Sequence, residues 1–182
     1  LSKLLKMVHP SLEIEVAPAQ GVSKISKEIL RRIPMETTTA PRIEGADIIF
    51  LLDTSTTQQL GQWKQRLESA MKPIVFIDHH TTHPGTKSLA QVAIIREDAT
   101  STCEIVYEMF KEAGIQPSKE AAQALFLGIA FDTMHFMIAD SNTFKTAAEL
   151  IESGVDAREN LRLLATQMES PERISRLKAA ER

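Results

Sequence analysis

The stretch Pro73-Ile-Val-Phe-Ile-Asp-His-His80 decides the fold class, because a short apolar run ends abruptly in polar residues. Such a run is typical of a strand that is buried on both faces of a parallel sheet. A similar run, Ala46–Leu52, comes earlier, ends at Asp53 and is predicted to be a central strand. The segment between the two runs has helical spacing, so together they predict a right-handed β-α-β unit.

The rest of the chain predicts helices around this sheet, because apolar residues recur there at helical spacing. The segment 58–71 places Leu60, Trp63, Leu67 and Met71 on one helix face, where Trp63 is expected to pack in the core. Further strands are predicted at 12–16 and 91–95. Further helices are predicted at 1–8, at 22–33, from Ser101 to Gly114, at 118–132, 141–153 and 156–167, and from Pro171 onward. The sequence therefore predicts an α/β fold with a parallel sheet flanked by helices.

Composition excludes several classes of protein. The 182 residues, 43% of them hydrophobic, suffice for one globular domain with a real core. The net charge of −3 gives no general positive field that would draw the chain onto nucleic acid. The single cysteine, Cys103, excludes an internal disulfide and is expected to be a small buried hydrophobe. No apolar stretch is long enough for a membrane span and no signal peptide is visible, so we expect a cytoplasmic protein.

Acids and imidazoles follow two successive strands, at Asp53 and at Asp78, His79 and His80. Ligands of open parallel sheets bind outside the carboxyl ends of the strands, so these side chains can converge on one site. Carboxylates and imidazoles without a thiolate suit a hard to borderline divalent ion, Mn²⁺ in the first place, with Mg²⁺ as an alternative. The structural alternatives are a helix cap or turn for the aspartate and a surface or core role for the histidine pair.

Two further candidates lie at the end of the helix predicted over 118–132. Asp132 closes an apolar helix four residues after Gly128, where the missing side chain is expected to let another backbone approach. A metal would give this carboxylate a partner, while a simple helix-end turn with Thr133 is the alternative. His135 follows three residues later and is a candidate for substrate contact, with a structural role as the alternative.

Four segments resemble, in the same order, the motifs of the DHH phosphoesterases. Residues 78–80 are the Asp-His-His tripeptide that names this family, and residues 51–55 resemble its second motif. Residues 98–102 resemble the segment that opens its middle helix, and residues 128–133 resemble its fourth motif. The family includes RecJ-like exonucleases, nano-RNA and phosphoadenosine-phosphate hydrolases and, more distantly, the family II inorganic pyrophosphatases.

The resemblance implies a role for each candidate residue. Asp53 would bridge two metal ions, His79 would bind one of them, and Asp132 would complete the shell of that same ion. Asp78 would orient its neighbours, and His80 would face the substrate phosphate and donate to its oxygens when protonated. The implied activity is that of a metal-dependent phosphoesterase, a nuclease of short oligonucleotides or a hydrolase of small nucleotide phosphates.

The sequence also departs from the family pattern. The first motif, a histidine followed by two aspartates after the first strand, has no match, and we expect the family's second domain, which carries a Gly-rich substrate-binding segment, to be missing after Arg182. Residues 1–168 are therefore expected to form an N-terminally incomplete catalytic domain, and residues 169–182 a charged helix that links it to an absent second domain. The chain is a fragment or belongs to a degenerate lineage, and by itself we expect it to have weak activity or none.

Two other functions stay open. A non-catalytic DHH scaffold that binds partners would explain the missing first motif, while the presence of all the other candidate ligands argues against it. An inorganic pyrophosphatase or polyphosphatase would call for a dense basic cluster at the site. The nearby cations Lys87 and Arg96 are too few to decide this question. The oligomeric state is not encoded in these motifs.

Overall fold

A computed structural model describes residues 1–54, 56–81 and 84–167, excluding the side chains of residues 86, 87, 166 and 167. Within these ranges the protein has the predicted α/β architecture, a three-stranded parallel sheet flanked by helices. The strands are β1 (Ile49–Leu52), β2 (Ile74–Asp78) and β3 (Val92–Ile95). The α-helices are α1 (Ser2–Val8), α2 (Lys24–Arg32), α3 (Lys64–Ser69), α4 (Pro84–Lys87), α5 (Thr102–Glu112), α6 (Lys119–Asp132), α7 (Ser141–Glu152) and α8 (Ala157–Gln167). Two 3-10 segments cover Ile43–Gly45 and Thr57–Trp63.

The sheet has the order β1-β2-β3, so β2 is the central strand. Its register pairs Leu52 with Ile77 and Asp78 with Ile95, which aligns the carboxyl ends of the strands. The prediction of a central strand over Ala46–Leu52 is wrong, because β1 lies at one edge of the described sheet. Leu52 is accordingly 40% exposed, whereas Phe76 and Ile77 of β2 are fully buried.

The core has two parts. The smaller cluster joins the sheet to the 3-10 segments and α3, and it includes Leu51, Trp63, Leu67 and Phe76. The larger cluster is formed mainly by α5, α6, α7 and α8, with Phe110, Phe126 and Leu150 among its most buried members. Trp63 is therefore a packing residue, as predicted.

Two predicted elements differ from the structure. Residues 12–16 form no strand in the described part of the chain, and the Val16 carbonyl accepts a hydrogen bond from the N–H of Thr38 instead. The helix predicted over 58–71 is a 3-10 segment followed by α3, because Gly61 adopts φ 53° and ψ −126° and interrupts it. Met71 consequently lies beyond α3 and is 92% exposed, not on a buried helix face.

The helical half agrees with the sequence. Ser101 and Ser118 accept hydrogen bonds from backbone N–H groups in the first turns of α5 and α6 and thereby cap both helices. The helix predicted from Pro171, the linker over 169–182 and the boundary at residue 168 lie outside the described residues and stay predictions. Among the described helices, none combines the length and hydropathy that crossing a bilayer requires.

The first turn of α5 packs closely on α6 where Gly128 lacks a side chain. A Cβ at position 128 would overlap Cys103 Sγ and lie 3.3 Å from Cys103 Cβ. The expectation that another backbone approaches Gly128 is therefore wrong, since the neighbour is the Cys103 side chain. This contact fixes the spacing between α5 and the helix that ends in Asp132.

We expect Gly128→Ala to lower the free energy of unfolding by about 1–3 kcal/mol, because overpacking forces the two helices apart. Adding Cys103→Ala removes the overlapping sulfur, so the double variant should regain most of this loss. Gly45→Ala is the matched control, because its new Cβ would meet its nearest neighbour at an ordinary 3.9 Å. Urea unfolding measures the wild type, the two single variants, the double variant and the control, and additive effects of the two single substitutions would contradict the direct contact.

Asp140 caps α7, and its pKa is lowered chiefly by hydrogen bonds from the N–H and the hydroxyl of Thr143. A lowered pKa stabilises the fold above the ordinary aspartate range, and this contribution is lost as the pH falls. Asp140→Ala should cost about 1 kcal/mol at pH 7, and the difference from the wild type should shrink below about pH 4. Asp140→Asn, which still caps, should retain most of the stability. Unfolding at pH 7 and pH 3 tests this, and an equal cost at both values would contradict it.

Candidate metal centre

The carboxylate of Asp78 organises the end of β2. Its Oδ1 accepts hydrogen bonds from the N–H of His79 at 2.7 Å, from the N–H of His80 at 3.0 Å and from His80 Nδ1 at 2.8 Å. The Asp78 side chain is completely buried. Because a buried acceptor holds both backbone amides, the chain turns sharply at this point and both imidazoles stay at the edge of the sheet.

Asp53 lies directly after β1 on the neighbouring strand. Its N–H donates to the carbonyl of Ile77, and its φ of 55° is in the left-handed region that aspartate tolerates better than most residues. The carboxylate is about half exposed, and its Oδ1 accepts a hydrogen bond of 2.9 Å from the hydroxyl of Thr102. Asp53 therefore terminates β1 without capping a helix.

The structure brings together four of the predicted site residues. His79 Nε2 lies 3.5 Å and His80 Nδ1 lies 3.7 Å from Asp53 Oδ1. Asp53, Asp78, His79 and His80 each offer a ligand atom, and all four atoms lie within 4.8 Å of one another. The side chains of two adjacent strand ends thus converge, as the parallel sheet predicted.

Two atoms of this group suggest what it can hold. Asp78 Oδ2 and His79 Nε2 are buried, and neither has a hydrogen-bond partner among the described residues. Buried polar atoms without partners are costly, and they are rare in native proteins. An ion next to His79 Nε2 would satisfy that atom, and carboxylate oxygens with imidazole nitrogens suit a divalent cation of hard to borderline character. The residues present therefore fit such an ion.

Asp132 does not belong to this group of four. It is the last residue of α6, and the three residues after Thr133 are all left-handed, with φ values of 52°, 60° and 70° for Met134, His135 and Phe136. The buried Thr133 supports this turn, since its hydroxyl donates to the carbonyl of Ile129 and accepts from the N–H of Phe136. The end of α6 is thus an unusual turn stabilised by its own hydroxyl group.

Comparisons with known proteins show the family of this chain. The sequence model of the DHH family, N-terminal domain, matches residues 2–129. The chain belongs to the DHH family. An uncharacterised protein of Methanocaldococcus jannaschii is 31% identical over the whole chain and 54% of its own length. A bifunctional oligoribonuclease and PAP phosphatase of Bacillus subtilis, NrnA, is 31% identical over 84% of the chain and 46% of its own length.

A solved structure shares the fold of this DHH chain. The exopolyphosphatase-related protein from Bacteroides fragilis superimposes with a TM-score of 0.63 at 22% identity, over 70% of this chain and 38% of that protein. At this identity the likeness concerns the fold alone. The chain spans about half the length of the curated relatives that it matches.

The Cys103 thiol is influenced by the charges of both Asp132 and Asp53. Its pKa is raised to about 12, mainly by burial and then by the negative charges of Asp132 and Asp53. Both carboxylates therefore lie within electrostatic range of the same thiol, in the first turn of α5. A thiol with so high a pKa stays protonated at neutral pH, so Cys103 acts as a small packing residue.

Arg96, which follows β3, is engaged by two acids. The Arg96 guanidinium donates to Asp98 at 2.8 and 2.9 Å and to Glu108 at 2.7 Å. These bonds from Arg96 lower the pKa of Asp98 to about 2. The side chain of Lys87, like Ser55 and His83, lies outside the described residues. In the part that is described, Arg96 is thus neutralised by two acids.

Sequence reasoning assigned no role to Thr102, although it lies in one of the four family-like segments. Its hydroxyl is one of three that follow one another at the start of α5, after Thr100 and Ser101. Ser101 caps the helix and Thr100 donates to Glu104, whereas Thr102 donates to Asp53. Which of three adjacent hydroxyls faces the site depends on the orientation of the helix, and the sequence does not give it.

We expect Asp78→Ala to lower the free energy of unfolding by about 2–3 kcal/mol, because it leaves two N–H groups without their acceptor. Asp78→Asn keeps one acceptor oxygen and should cost less. Asp47→Asn, at an exposed position, is the matched control and should change stability by less than about 0.5 kcal/mol. Chemical unfolding measures these values, and an Asp78→Ala protein as stable as the control would contradict this role.

Proposed function

We propose that this DHH chain is the metal-binding part of a phosphoesterase that hydrolyses short oligonucleotides or small nucleotide phosphates. The observation that carries the proposal is the buried His79 Nε2, which has no hydrogen-bond partner among the described residues and lies 3.5 Å from Asp53 Oδ1. In a chain of this family, a divalent cation between these two side chains would satisfy the nitrogen atom.

Three residues would hold the ion. Asp53 and His79 offer ligand atoms 3.5 Å apart, and Asp132 is proposed as a third ligand from the end of α6. Mn²⁺ suits this mixture of oxygen and nitrogen donors, and Mg²⁺ is the alternative. When bound in such a site, a divalent ion supplies positive charge that offsets the charge growing on the phosphoryl oxygens.

His80 is proposed to contact the substrate phosphate. Its Nδ1–H donates to Asp78 Oδ1 at 2.8 Å, which fixes the ring and places its second nitrogen, Nε2, on the opposite side. The side chain is about half exposed, so an incoming phosphate can reach it. In the protonated ring, Nε2–H would donate to a phosphoryl oxygen while Asp78 stabilises the positive charge. His135, in the turn after α6, stays a candidate for a further substrate contact.

Nucleotide substrates are favoured over inorganic ones by the charges near the site. The names of the relatives do not choose, since NrnA, an oligoribonuclease and PAP phosphatase, matches 84% of this chain and a probable manganese-dependent inorganic pyrophosphatase of Streptococcus suis matches 87%. An inorganic pyrophosphate would call for several free cations, whereas Arg96 is held by Asp98 and Glu108. We therefore expect that any Mn²⁺-dependent turnover is faster on a short oligoribonucleotide or on PAP than on pyrophosphate. Phosphate-release and chromatographic assays compare the three, and faster pyrophosphate hydrolysis would contradict this preference.

Metal binding separates the phosphoesterase from a non-catalytic scaffold. The chain should bind Mn²⁺ and unfold at a higher temperature in its presence. Asp53→Asn and His79→Ala should each abolish this shift, and Asp132→Asn should reduce it, because each removes a proposed ligand. His9→Ala, in an exposed turn, and Asp47→Asn are the matched controls and should bind as the wild type does.

Each outcome of this experiment has a clear consequence. A chain that does not bind Mn²⁺ or Mg²⁺ at all would contradict the proposed function. Binding that is insensitive to Asp53 and His79 would place the ion elsewhere. Binding at this site without turnover of any of the three substrates would agree with the weak activity expected of this chain by itself, and it would support the proposed metal site against a scaffold without metals.

A further inference from the structure

The oxygen at the centre of the site is held by a residue outside the metal-binding group. Asp53 Oδ1 accepts from Thr102 Oγ1 at 2.9 Å, and the same oxygen lies nearest to the two imidazoles, at 3.5 and 3.7 Å. This one carboxylate oxygen therefore has neighbouring polar groups on two sides. The end of β2 provides the imidazoles, and the first residue of α5 provides the hydroxyl.

Asp53 has little other support for its side chain. Its backbone is fixed by the bond from its N–H to the Ile77 carbonyl, but about half of its carboxylate is exposed. Within the ranges that the structure covers, Thr102 is the one side chain that donates a hydrogen bond to this carboxylate. Without it, an exposed aspartate would rotate among several rotamers, and its oxygens would not be held towards His79.

Thr102 itself is firmly held. It is only 7% exposed, and its branched side chain has few accessible rotamers. The residues on both sides anchor it, since Ser101 caps α5 and Cys103 packs against Gly128 of α6. Glu104, one residue further, accepts a hydrogen bond from Thr100, which is itself hydrogen-bonded to Thr143 of α7. The hydroxyl is therefore presented to Asp53 by a turn that is packed on two other helices.

We propose that Thr102 is a positioning residue that orients the Asp53 carboxylate for the divalent ion, an inference that rests on the proposed function. Its hydroxyl holds Oδ1 towards the imidazoles and still leaves lone pairs of the carboxylate for the ion. Hydrogen bonds to ligating carboxylates fix their orientation, and losing one typically weakens metal binding about 10–100-fold. The preorganised carboxylate also loses less conformational entropy when the ion binds.

A purely structural role for Thr102 predicts something different. If the hydroxyl only tied α5 to the sheet, its removal would lower stability but leave the metal affinity of the folded protein unchanged. The decisive quantity is therefore the dissociation constant for Mn²⁺, measured on folded protein and compared with the free energy of unfolding without metal.

The experiment compares three substitutions in the whole 182-residue chain. Thr102→Ala removes the hydroxyl and the methyl group, Thr102→Ser removes the methyl group alone, and Thr102→Val keeps the branched shape without the hydroxyl. Thr146→Ala, at another buried threonine, on α7, is the matched control. Mn²⁺ titration followed by the electron paramagnetic resonance of the free ion gives the dissociation constants, and urea unfolding verifies the fold.

We expect Thr102→Ala and Thr102→Val to weaken Mn²⁺ binding about 10-fold or more, and Thr102→Ser to restore most of the affinity. Thr146→Ala should bind as the wild type does. Equal affinity in the wild type, Thr102→Ser and whichever of Thr102→Ala and Thr102→Val folds would overturn the inference while leaving the proposed function intact. A wild type without Mn²⁺ binding would contradict the proposed function itself, so the two failures are distinguishable.

Discussion

The site depends on one buried carboxylate at the end of the central strand. Asp78 accepts from two consecutive backbone amides and from a ring nitrogen of His80, and these three bonds turn the chain so that both imidazoles face the same edge. A buried acceptor with one oxygen fully used and the other unpaired is stable only if the surrounding groups compensate. The positions of His79 and His80 in the cluster follow from the hydrogen bonds that Asp78 accepts.

The strand β1 and the helix α5 contribute the other residues of the site. The parallel register places Asp53 beside the end of β2, and the first turn of α5 reaches the same oxygen with a hydroxyl group. The same turn packs on α6 through Cys103 and Gly128, so a direct contact sets the spacing between α5 and the helix that ends in Asp132. Backbone pairing and helix packing, rather than long flexible side chains, thus position the site.

Much of this could be predicted from the sequence, for definite physical reasons. Continuous apolar runs identified β2 and the edge strand β1, and apolar residues at helical spacing located helices such as α5. Two strand ends with acids and imidazoles predicted the cluster, because parallel strands share one carboxyl edge. The strand predicted at 12–16 is wrong because an alternating pattern does not by itself provide a partner strand. The helix predicted over 58–71 is interrupted at Gly61, whose backbone conformation the spacing of apolar residues does not reveal. The role of Thr102 could not be predicted, because it depends on the orientation of α5 relative to the sheet.

The turn after α6 has a consequence for how this protein can change. Met134, His135 and Phe136 all occupy a backbone region that disfavours L-residues by roughly 1–2 kcal/mol each. A glycine at any of them would relieve that strain, but it would also make the backbone of the turn after Asp132 more flexible. A substitution of this kind would therefore exchange lower backbone strain for a less fixed position of the residues beside Asp132.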